Sequence, residues 1–327
     1  MKGGDGDCYY SRRQVHMANV QTEVMSPVKA TRRRRNSLQA KRERLFYILV
    51  LPWVIGFLAF TLGPMVYSLY LSFTHWDLFS SPRFIGLGNY AQLSGDPLFW
   101  QSLRVTSIYS IVSVPLGLIV SLMLAILLNQ KVKGLSVFRT ILYLPSVVSG
   151  VAVSTVFMWV FNPQFGLLNA LLGELGVKGP GWLSDPNWAL PSLILMSLWG
   201  VGGNMIIFLA GLQNIPVSLL EAASLDGATL WRRFWSVTIP ILSPSILFNL
   251  VLSIINQFQT FTQAYVMTNG GPLHSTLFYV YYLFENAFQY LNMGYAAALG
   301  WILFIIILVL TMIVLATSKK WVFYQGE

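Results

Sequence analysis

Residues 215–240 read IPVSLLEAASLDGATLWRRFWSVTIP, the least hydrophobic internal stretch that still has a strongly helical pattern. Pro216 stands where the first turn of a helix tolerates proline. Gly227 offers the left-handed residue that ends such a helix. A second short helix is predicted to run from Thr229 to Pro240, where the proline would close it. We therefore expect two short helices that meet at a glycine, between long apolar runs.

The composition is that of a membrane protein. The 327 residues are 55% hydrophobic and only 10% charged, and the mean hydropathy is +0.61. Soluble domains carry about 25% charged residues, so the sequence predicts a polytopic membrane protein. The single cysteine, Cys8, excludes an intramolecular disulfide and a cysteine-rich metal site. Residues 1–30 contain no apolar signal-peptide core, which predicts insertion through internal segments.

Residues 1–44 form a polar, basic tail that contains the runs 32–35 and 41–44. A basic run can bind nucleic acid. Directly before a hydrophobic segment, however, it is more typical of a topological anchor on anionic lipid. We predict a cytoplasmic, largely disordered tail with no nucleic-acid partner.

Six segments are apolar enough to cross about 30 Å of hydrocarbon, which takes roughly 20 helical residues. They lie near residues 45–71, 103–128, 137–161, 189–212, 241–266 and 295–317. A seventh candidate at 276–290 is short and carries Glu285 and Asn286 among its aromatic residues. We expect it to lie as an amphipathic helix at the outer interface rather than to span.

The distribution of positive charge fixes the predicted orientation. With both termini inside, 18 of the 21 lysines and arginines are cytoplasmic, and only Arg83, Arg104 and Lys178 are external. Cytoplasmic loops are enriched in these residues. A seventh span would place Lys319 and Lys320 outside. The sequence therefore predicts an all-α protein with six transmembrane helices and cytoplasmic termini, in which the stretch quoted first is a cytoplasmic loop.

Several function classes lack their residues. No Lys, Arg, Asp or Glu lies in the middle of a predicted span, whereas ion-coupled transporters usually need an intramembrane ionisable group. The chain has no GxxxxGK[ST] phosphate loop, no HExxH and no GxSxG. We predict a transport protein rather than an enzyme, with no metal or cofactor in this chain and with energy supplied from outside it.

Four runs carry a family resemblance. The EAA run at 221–223, with Gly227 and then Ile239-Pro240, is similar to the EAA loop of ABC importer permeases. The run FIGLGNY at 84–90 resembles the FxGLxNY run of sugar permeases in the maltose and glycerol-3-phosphate importer group. TNGGP at 268–272 and GYAAA at 294–298 look like that group's MalF-type subunit. The resemblance covers roughly residues 45–327.

The resemblance implies a type I ABC importer permease with MetI-like architecture, whose transmembrane domain covers residues 45–327. In that family the 215–240 loop docks into a cleft of the ATP-binding subunit. The implied coupling residues are Glu221, Ala222, Ala223, Asp226, Gly227, Arg232 and Arg233. From the pattern alone another interpretation stays open, in which Glu221 and Asp226 merely cap and solvate an interfacial helix pair.

The fifth predicted span is unusually polar. Asn256 and Thr260, four residues apart, are expected to share a helical face with Gln263, and Gln257 lies at its edge. By their distance from the TNGGP run, several of these positions match sugar contacts of MalF-type subunits. Two residues of the fourth span complete the predicted substrate path, which comprises Asn256, Gln257, Thr260, Gln263, Asn204 and Ser197. The alternative is that these amides hydrogen-bond between two permease subunits.

The implied function is ATP-driven import of a sugar or oligosaccharide by alternating access in the bacterial cytoplasmic membrane. The implied partners are a second homologous permease, two ATP-binding subunits that hold ATP and Mg, and an external solute-binding protein. A non-sugar solute such as glycerol-3-phosphate or a polyol stays open, as does a self-contained carrier or channel. The first external loop is short, so polar residues of the external loops are interpreted as surface or docking residues: His75, Asp77, Asp96, Asp185 and His274.

Overall fold

The computed structural model describes residues 31–130 and 132–323. The chain divides into two compact units, one ending at Val66 and the other beginning at Tyr67. The α-helices are α1 Thr31–Phe57, α2 Gly63–Ser72, α3 Gly88–Gly95, α4 Pro97–Leu128, α5 Leu135–Tyr143, α6 Gly150–Val160, α7 Leu167–Glu174, α8 Pro186–Ser197, α9 Gly202–Gln213, α10 Val217–Leu225, α11 Leu230–Arg233, α12 Ile239–Phe258, α13 Tyr279–Phe284 and α14 Met293–Ser318.

Short segments of other geometry interrupt these helices. Two are 3₁₀ turns, Leu144–Ser146 and Leu198–Gly200. Four are π-helical: Leu58–Leu62, Phe234–Thr238, Ala264–Thr268 and Glu285–Gln289. Two short strands, β1 Thr74–His75 and β2 Arg83–Phe84, pair antiparallel with Thr74 opposite Phe84. The all-α class is confirmed, and this ribbon is a local addition.

Helical structure begins earlier than the sequence analysis placed it. α1 starts at Thr31, so residues 31–44 are helical rather than part of a largely disordered tail. Helix-forming residues such as Leu38, Gln39, Ala40 and Lys41 continue the first apolar run backwards without a breaker. The prediction for residues 1–30 lies outside the described residues, as does Lys131.

Four helical runs are long and apolar enough to cross a membrane: Lys41–Ser72, Pro97–Leu128, Leu230–Phe258 and Met293–Ser318. Two bent pairs pass the same test together, Leu135–Ser146 with Gly150–Val160 and Pro186–Gly200 with Gly202–Gln213. Counting each bent pair as one span gives the predicted six. α13 and the π segment after it are not among these candidates, in agreement with the prediction for residues 276–290.

Three of the predicted spans are broken rather than continuous. The third bends by 93° between Ser146 and Gly150, and the fourth by 46° near Val201. The fifth ends its α-helix at Phe258, and helical structure resumes only after Phe261. Broken helices within a membrane are tolerated where the freed backbone is buried in protein or lines a wet cavity.

Pro240 does not close the second helix of the 215–240 stretch, which corrects that expectation. Instead α11, the π segment Phe234–Thr238 and α12 form one helical run. The Ile239 N–H bonds to the Phe234 carbonyl, five residues back. The wider turn relieves the clash that a proline ring makes with the carbonyl four residues before it. The helix therefore passes through Pro240 into the membrane.

The second unit is organised around α4, which packs against α9 and α12. One buried cluster, with Leu128, Leu212 and Leu242, lies beside the 215–240 stretch. The other contains Phe99, Tyr109 and aromatic residues of α13, at the opposite end of α4. Both clusters contain residues from helices that are distant in the sequence. The second unit therefore has one buried cluster at each end of α4.

Candidate functional site

The turn between α10 and α11 is a Schellman motif. Gly227 is left-handed, with φ +75°. The Ala228 N–H bonds to the Ala223 carbonyl at 3.0 Å, and the Gly227 N–H bonds to the Ser224 carbonyl at 3.1 Å. These two bonds satisfy carbonyls that the end of α10 would leave unpaired. The predicted stop at Gly227 is confirmed, and Thr229 then caps α11 by accepting from the Arg232 N–H.

The predicted coupling residues lie together around this turn. Glu221 and Ala222 are exposed on α10, Ala223 is half-buried, and Asp226 and Arg232 are exposed beside the turn. Arg233 differs because it is half-buried and donates to the Ser224 hydroxyl at 2.5 Å. Its guanidinium therefore fixes the angle between α10 and α11 instead of standing free at the rim.

Large apolar side chains beside the turn are left mostly exposed by the described part of the chain. We call Leu225, Leu230 and Trp231 the coupling tip. Their exposed fractions are 89%, 78% and 70%. Leu220 and Phe234, together with Leu230, line a cavity of about 440 Å³ that also contacts α4 and α9. An exposed apolar patch of this kind marks an interaction site, and the predicted coupling residues included none of these three side chains.

The broken spans meet at a second site. The three helix breaks line a cavity of about 180 Å³ with both polar and apolar walls. Its lining includes Ser146, Val148, Gly150, Ser197, Trp199 and Gln263. Gly150 lies so close to the fifth span that a Cβ on it would touch Thr262 at 3.5 Å. We call this the central cavity.

The structure brings three of the predicted path residues together. Ser197 and Gln263 line the central cavity. Thr260 is buried, and together with Ser197 it forms the polar surroundings of the Tyr109 hydroxyl. Tyr109 itself is fully buried in α4. Sequence reasoning missed Tyr109 because nothing in the α4 sequence indicates which face of that helix is turned toward the breaks.

The other predicted path residues lie elsewhere. Asn256 is exposed and Gln257 is half-buried near the end of α12. The expected common face is wrong, because α12 ends at Phe258 and the helical spacing does not continue to Thr260 and Gln263. An exposed amide is costly in hydrocarbon, so Asn256 needs a wet path or a protein partner.

Asn204 joins two helices instead of lining the central cavity. The Asn204 side-chain amide donates to the Ser253 hydroxyl at 3.0 Å, and the Asn204 backbone carbonyl accepts from the Asn249 side-chain amide at 3.3 Å. Asn249 is fully buried in α12. These bonds agree with the alternative that amides within the spans connect helices, here within one subunit.

At the end of α4 opposite the coupling tip, the FIGLGNY run builds a cap. The Asn89 amide donates to the Ser72 and Thr74 carbonyls at 2.8 and 2.9 Å, and Tyr90 donates to the Ser72 hydroxyl. Gly294 packs on the same ribbon, where an added Cβ would lie 1.9 Å from the Thr74 carbonyl oxygen. Two of the runs that carry the family resemblance therefore meet at one structural contact.

Asp96 was interpreted as a surface or docking residue, and the structure gives it another role. Its carboxylate caps α4 by accepting from the Leu98 N–H at 2.9 Å. It also accepts from the hydroxyls of Tyr282 and Tyr295. Burial alone would raise the pKa of Asp96, but these hydrogen bonds outweigh it and hold the pKa below its ordinary value. Asp96 thus ties α4, α13 and α14 together.

Comparison with known proteins supports the predicted resemblance to ABC importer permeases. The family model described as "Binding-protein-dependent transport system inner membrane component" matches residues 113–322. The probable ABC transporter permease protein YesP of Bacillus subtilis (strain 168) is 47% identical over 287 residues, covering 86% of this chain and 92% of the relative. The lactose transport system permease protein LacF of Rhizobium radiobacter is 37% identical over 294 residues, covering 88% and 98%.

The fold has a solved counterpart. A chain in the crystal structure of a bacterial ABC transporter involved in the import of the acidic polysaccharide alginate superposes with a TM-score of 0.76 at 26% identity. The match covers 88% of this chain and 99% of that chain. The predicted resemblance to ABC importer permeases is confirmed, and this chain belongs to the family of binding-protein-dependent transport system inner membrane components.

Proposed function

We propose that this chain is the permease subunit of an ABC importer that moves a sugar or oligosaccharide into the cytoplasm. The observation that carries the proposal is the single helical run Leu230–Phe258. It begins within the coupling tip and ends at the helix break beside the central cavity. At 1.5 Å per residue such a run is roughly 40 Å long. A displacement of the tip would therefore reach the cavity without an intervening loop.

The substrate class rests on chemistry and on relatives. Sugars need hydrogen-bond donors and acceptors together with aromatic surface. The central cavity offers the Ser197 hydroxyl, the Gln263 amide and the Trp199 ring. Related proteins are named for the transport of lactose, arabinooligosaccharides and alginate, and one for sn-glycerol-3-phosphate, so most of these names favour a carbohydrate.

The partners follow from the exposed surfaces. Two ATP-binding subunits would hold ATP and Mg and hydrolyse ATP, one of them receiving the coupling tip of this chain. A second homologous permease would cover the apolar groove of about 830 Å³ along α6, lined by residues such as Val156, Phe157 and Trp199. A solute-binding protein outside the bacterial cytoplasmic membrane would deliver the sugar, with both termini of this chain in the cytoplasm.

In this mechanism the chain itself performs no chemistry. ATP-driven closure of the partner subunits would move the coupling tip, with Glu221 as a polar contact in their socket and Arg233 keeping α10 and α11 at a fixed angle. α12 would carry the motion to Thr260 and Gln263. Because the third, fourth and fifth spans are all broken at the central cavity, a small shift there can open one side of the path and close the other.

The test is ATP-dependent uptake by the complete transporter in proteoliposomes. The complex would be purified through this chain with its partners, and the probes would be lactose, maltotriose and arabinotriose. We expect uptake of at least one probe with ATP and none without it. Uptake by this chain alone, independent of ATP, would overturn the proposal in favour of a secondary carrier or channel.

The same assay tests the path residues. Thr260→Val removes a buried hydroxyl at almost constant shape, so we expect the KM for uptake to rise about tenfold, the scale of one lost hydrogen bond. The matched control is Thr317→Val, whose hydroxyl bonds only within α14, and which should transport normally. If Thr260→Val reduces only the yield of assembled complex and leaves KM unchanged, the hydroxyl holds helices together instead.

A further inference from the structure

Beyond the central cavity, aromatic rings gather where the fifth span resumes after its break. Phe261 and Tyr265 stack nearly parallel, with ring centroids 5.3 Å apart and an angle of 18°. Phe284 packs against both of them, at 5.1 and 5.4 Å. The Tyr281 ring packs against Phe261, and the ring centroids of Phe288 and Phe284 lie 5.1 Å apart. We call these five rings the aromatic platform.

One side of the platform is open. Tyr281 is buried, but Tyr265 and Phe288 are 44% and 62% exposed. One face of Tyr265 is stacked on Phe261, and the described chain leaves other parts of the Tyr265 and Phe288 rings exposed. The position also fits a path, because Phe261 is only two residues from Gln263 of the central cavity. Along the fifth span, Phe261 and Tyr265 therefore lie two residues to either side of Gln263.

The edge of the platform is polar. The Glu285 carboxylate faces the Tyr281 hydroxyl and lies near His274. The Tyr265 and Tyr290 hydroxyls belong to the same neighbourhood of Tyr281. The Glu285 carboxylate and the exposed phenols of Tyr265 and Tyr290 are costly to place against lipid chains, so this surface faces water or a polar ligand. The segment that holds Glu285 is also not among the candidate spans.

Flat aromatic faces beside a carboxylate and hydroxyls match one ligand class. The negative face of an aromatic ring attracts the electropositive C–H groups on the apolar face of a pyranose. Carboxylate and phenol groups at the edge can then bond the hydroxyls of the same ring. We propose that the aromatic platform is a second carbohydrate subsite, which holds a sugar unit at the mouth of the path before that unit enters the central cavity.

This inference rests on the proposed function for its ligand, but its test does not need ATP. The complex of this chain with its partner subunits would be placed in lipid nanodiscs without nucleotide. Saturation-transfer NMR would then measure binding of lactose, maltotriose and arabinotriose. We expect signals on the C–H protons of at least one probe. Tyr265→Ala and Phe284→Ala should each weaken that binding about tenfold, the order expected for one lost stacking contact.

Matched variants separate stacking from general effects. Phe304 on α14 is 45% exposed, nearly the same as Tyr265, and Phe304→Ala should bind like the wild type. Tyr265→Phe keeps the ring and should lose less than Tyr265→Ala. Glu285→Gln removes the charged acceptor but no ring, and it should weaken binding several-fold.

The outcomes are distinct. No saturation transfer to any probe, or equal transfer in Tyr265→Ala and wild type, overturns the platform as a subsite. Loss of the second permease from the purified Tyr265→Ala complex also overturns it, because the rings would then form a subunit contact. If ATP-driven uptake persists but sugar binding at the platform is absent, the proposed function stands and the subsite is wrong. If sugar binds at the platform but ATP-driven uptake is absent, the proposed function is wrong and the subsite stands.

Discussion

At the scale of single residues, Asp96 shows how one carboxylate can connect three helices. It caps α4 and accepts from two tyrosines on α13 and α14. Hydrogen bonds to a charged group are stronger than neutral ones. Because the carboxylate is only partly buried, solvent screening reduces their net contribution. We call these three hydrogen bonds the Asp96 clamp. They stabilise the end of the bundle opposite the coupling tip.

We expect Asp96→Asn to lower the free energy of unfolding by about 1–2 kcal/mol after allowance for exposure. Both tyrosines donate to Oδ2 of Asp96, and the Leu98 N–H donates to Oδ1. An amide keeps one accepting oxygen and places an NH2 donor at the other position, where a donor already points, so one side of this arrangement is lost. Thermal unfolding in detergent measures the loss. Tyr295→Phe removes one of the three bonds and should cost less. An unchanged melting temperature in Asp96→Asn would show that the clamp contributes nothing.

The same substitution predicts a pH dependence. The pKa of Asp96 is below its ordinary value of 3.8, since the tyrosine bonds outweigh burial. A group with a depressed folded pKa stabilises the fold above the unfolded pKa and loses that contribution as pH falls through the folded pKa. The difference in melting temperature between wild type and Asp96→Asn should be constant from about pH 7 to 5 and shrink below about pH 4. A difference that grows in acid would contradict this assignment.

At the scale of elements, the sequence predicted which segments cross the membrane but not where they break. Hydropathy is averaged over about 20 residues, so a few non-helical residues at 147–149 or 259–261 do not alter it. Pro145 and Gly150 flank the first of these breaks and were visible. Proline alone was ambiguous, however, because Pro240 lies inside a continuous run. The π segment that makes room for it has no sequence signal of its own.

The candidate sites divide in the same way. The turn at Gly227 was predictable because a Schellman motif uses contacts within a few residues. The clamp of Asp96 was not, because its tyrosine partners lie almost two hundred positions away in the chain. The central cavity was partly predicted, since Ser197 and Gln263 of its lining were named for their polarity, whereas Trp199 enters only through packing.

The α10–α11 turn gives a prediction of its own. Gly227→Pro cannot adopt φ +75° and removes the N–H that bonds to Ser224. The coupling tip would lose its shape, so sugar-stimulated ATPase activity should fall at least tenfold while membrane insertion stays normal. ATP hydrolysis by the purified complex measures this.

Gly176 supplies the control, because it ends α7 with φ +71° and the Val177 N–H bonds back to the Leu172 carbonyl. Gly176→Pro breaks an equivalent turn in a different loop and should leave ATPase stimulation intact. Equal loss in both variants would point to general misfolding, and normal stimulation in Gly227→Pro would remove the 215–240 stretch from coupling.

At the scale of the whole molecule, the question is whether Leu230–Phe258 moves as one body. The π segment at 234–238 is its weakest section, because π turns are less stable than α turns. Beyond it α12 is held against α4 and α9 by buried contacts such as Leu242 and Asn249. We expect this helical run to move as a rigid body without bending, so that a displacement of the coupling tip also displaces the other end of the run.

Distance measurements between spin labels test this rigid-body motion directly. With Cys8→Ser, labels at Leu230→Cys and Asn256→Cys report positions at the two ends of the run, both of which are exposed. A second pair, Leu230→Cys and Met312→Cys, compares the coupling tip with α14. Between the nucleotide-free and the ATP-trapped complex, the first distance should change by no more than about 2 Å and the second by about 5 Å, the scale of helix shifts in transport cycles. If the first distance changes as much as the second, the helix bends at its π segment and the tip cannot drive the central cavity through α12.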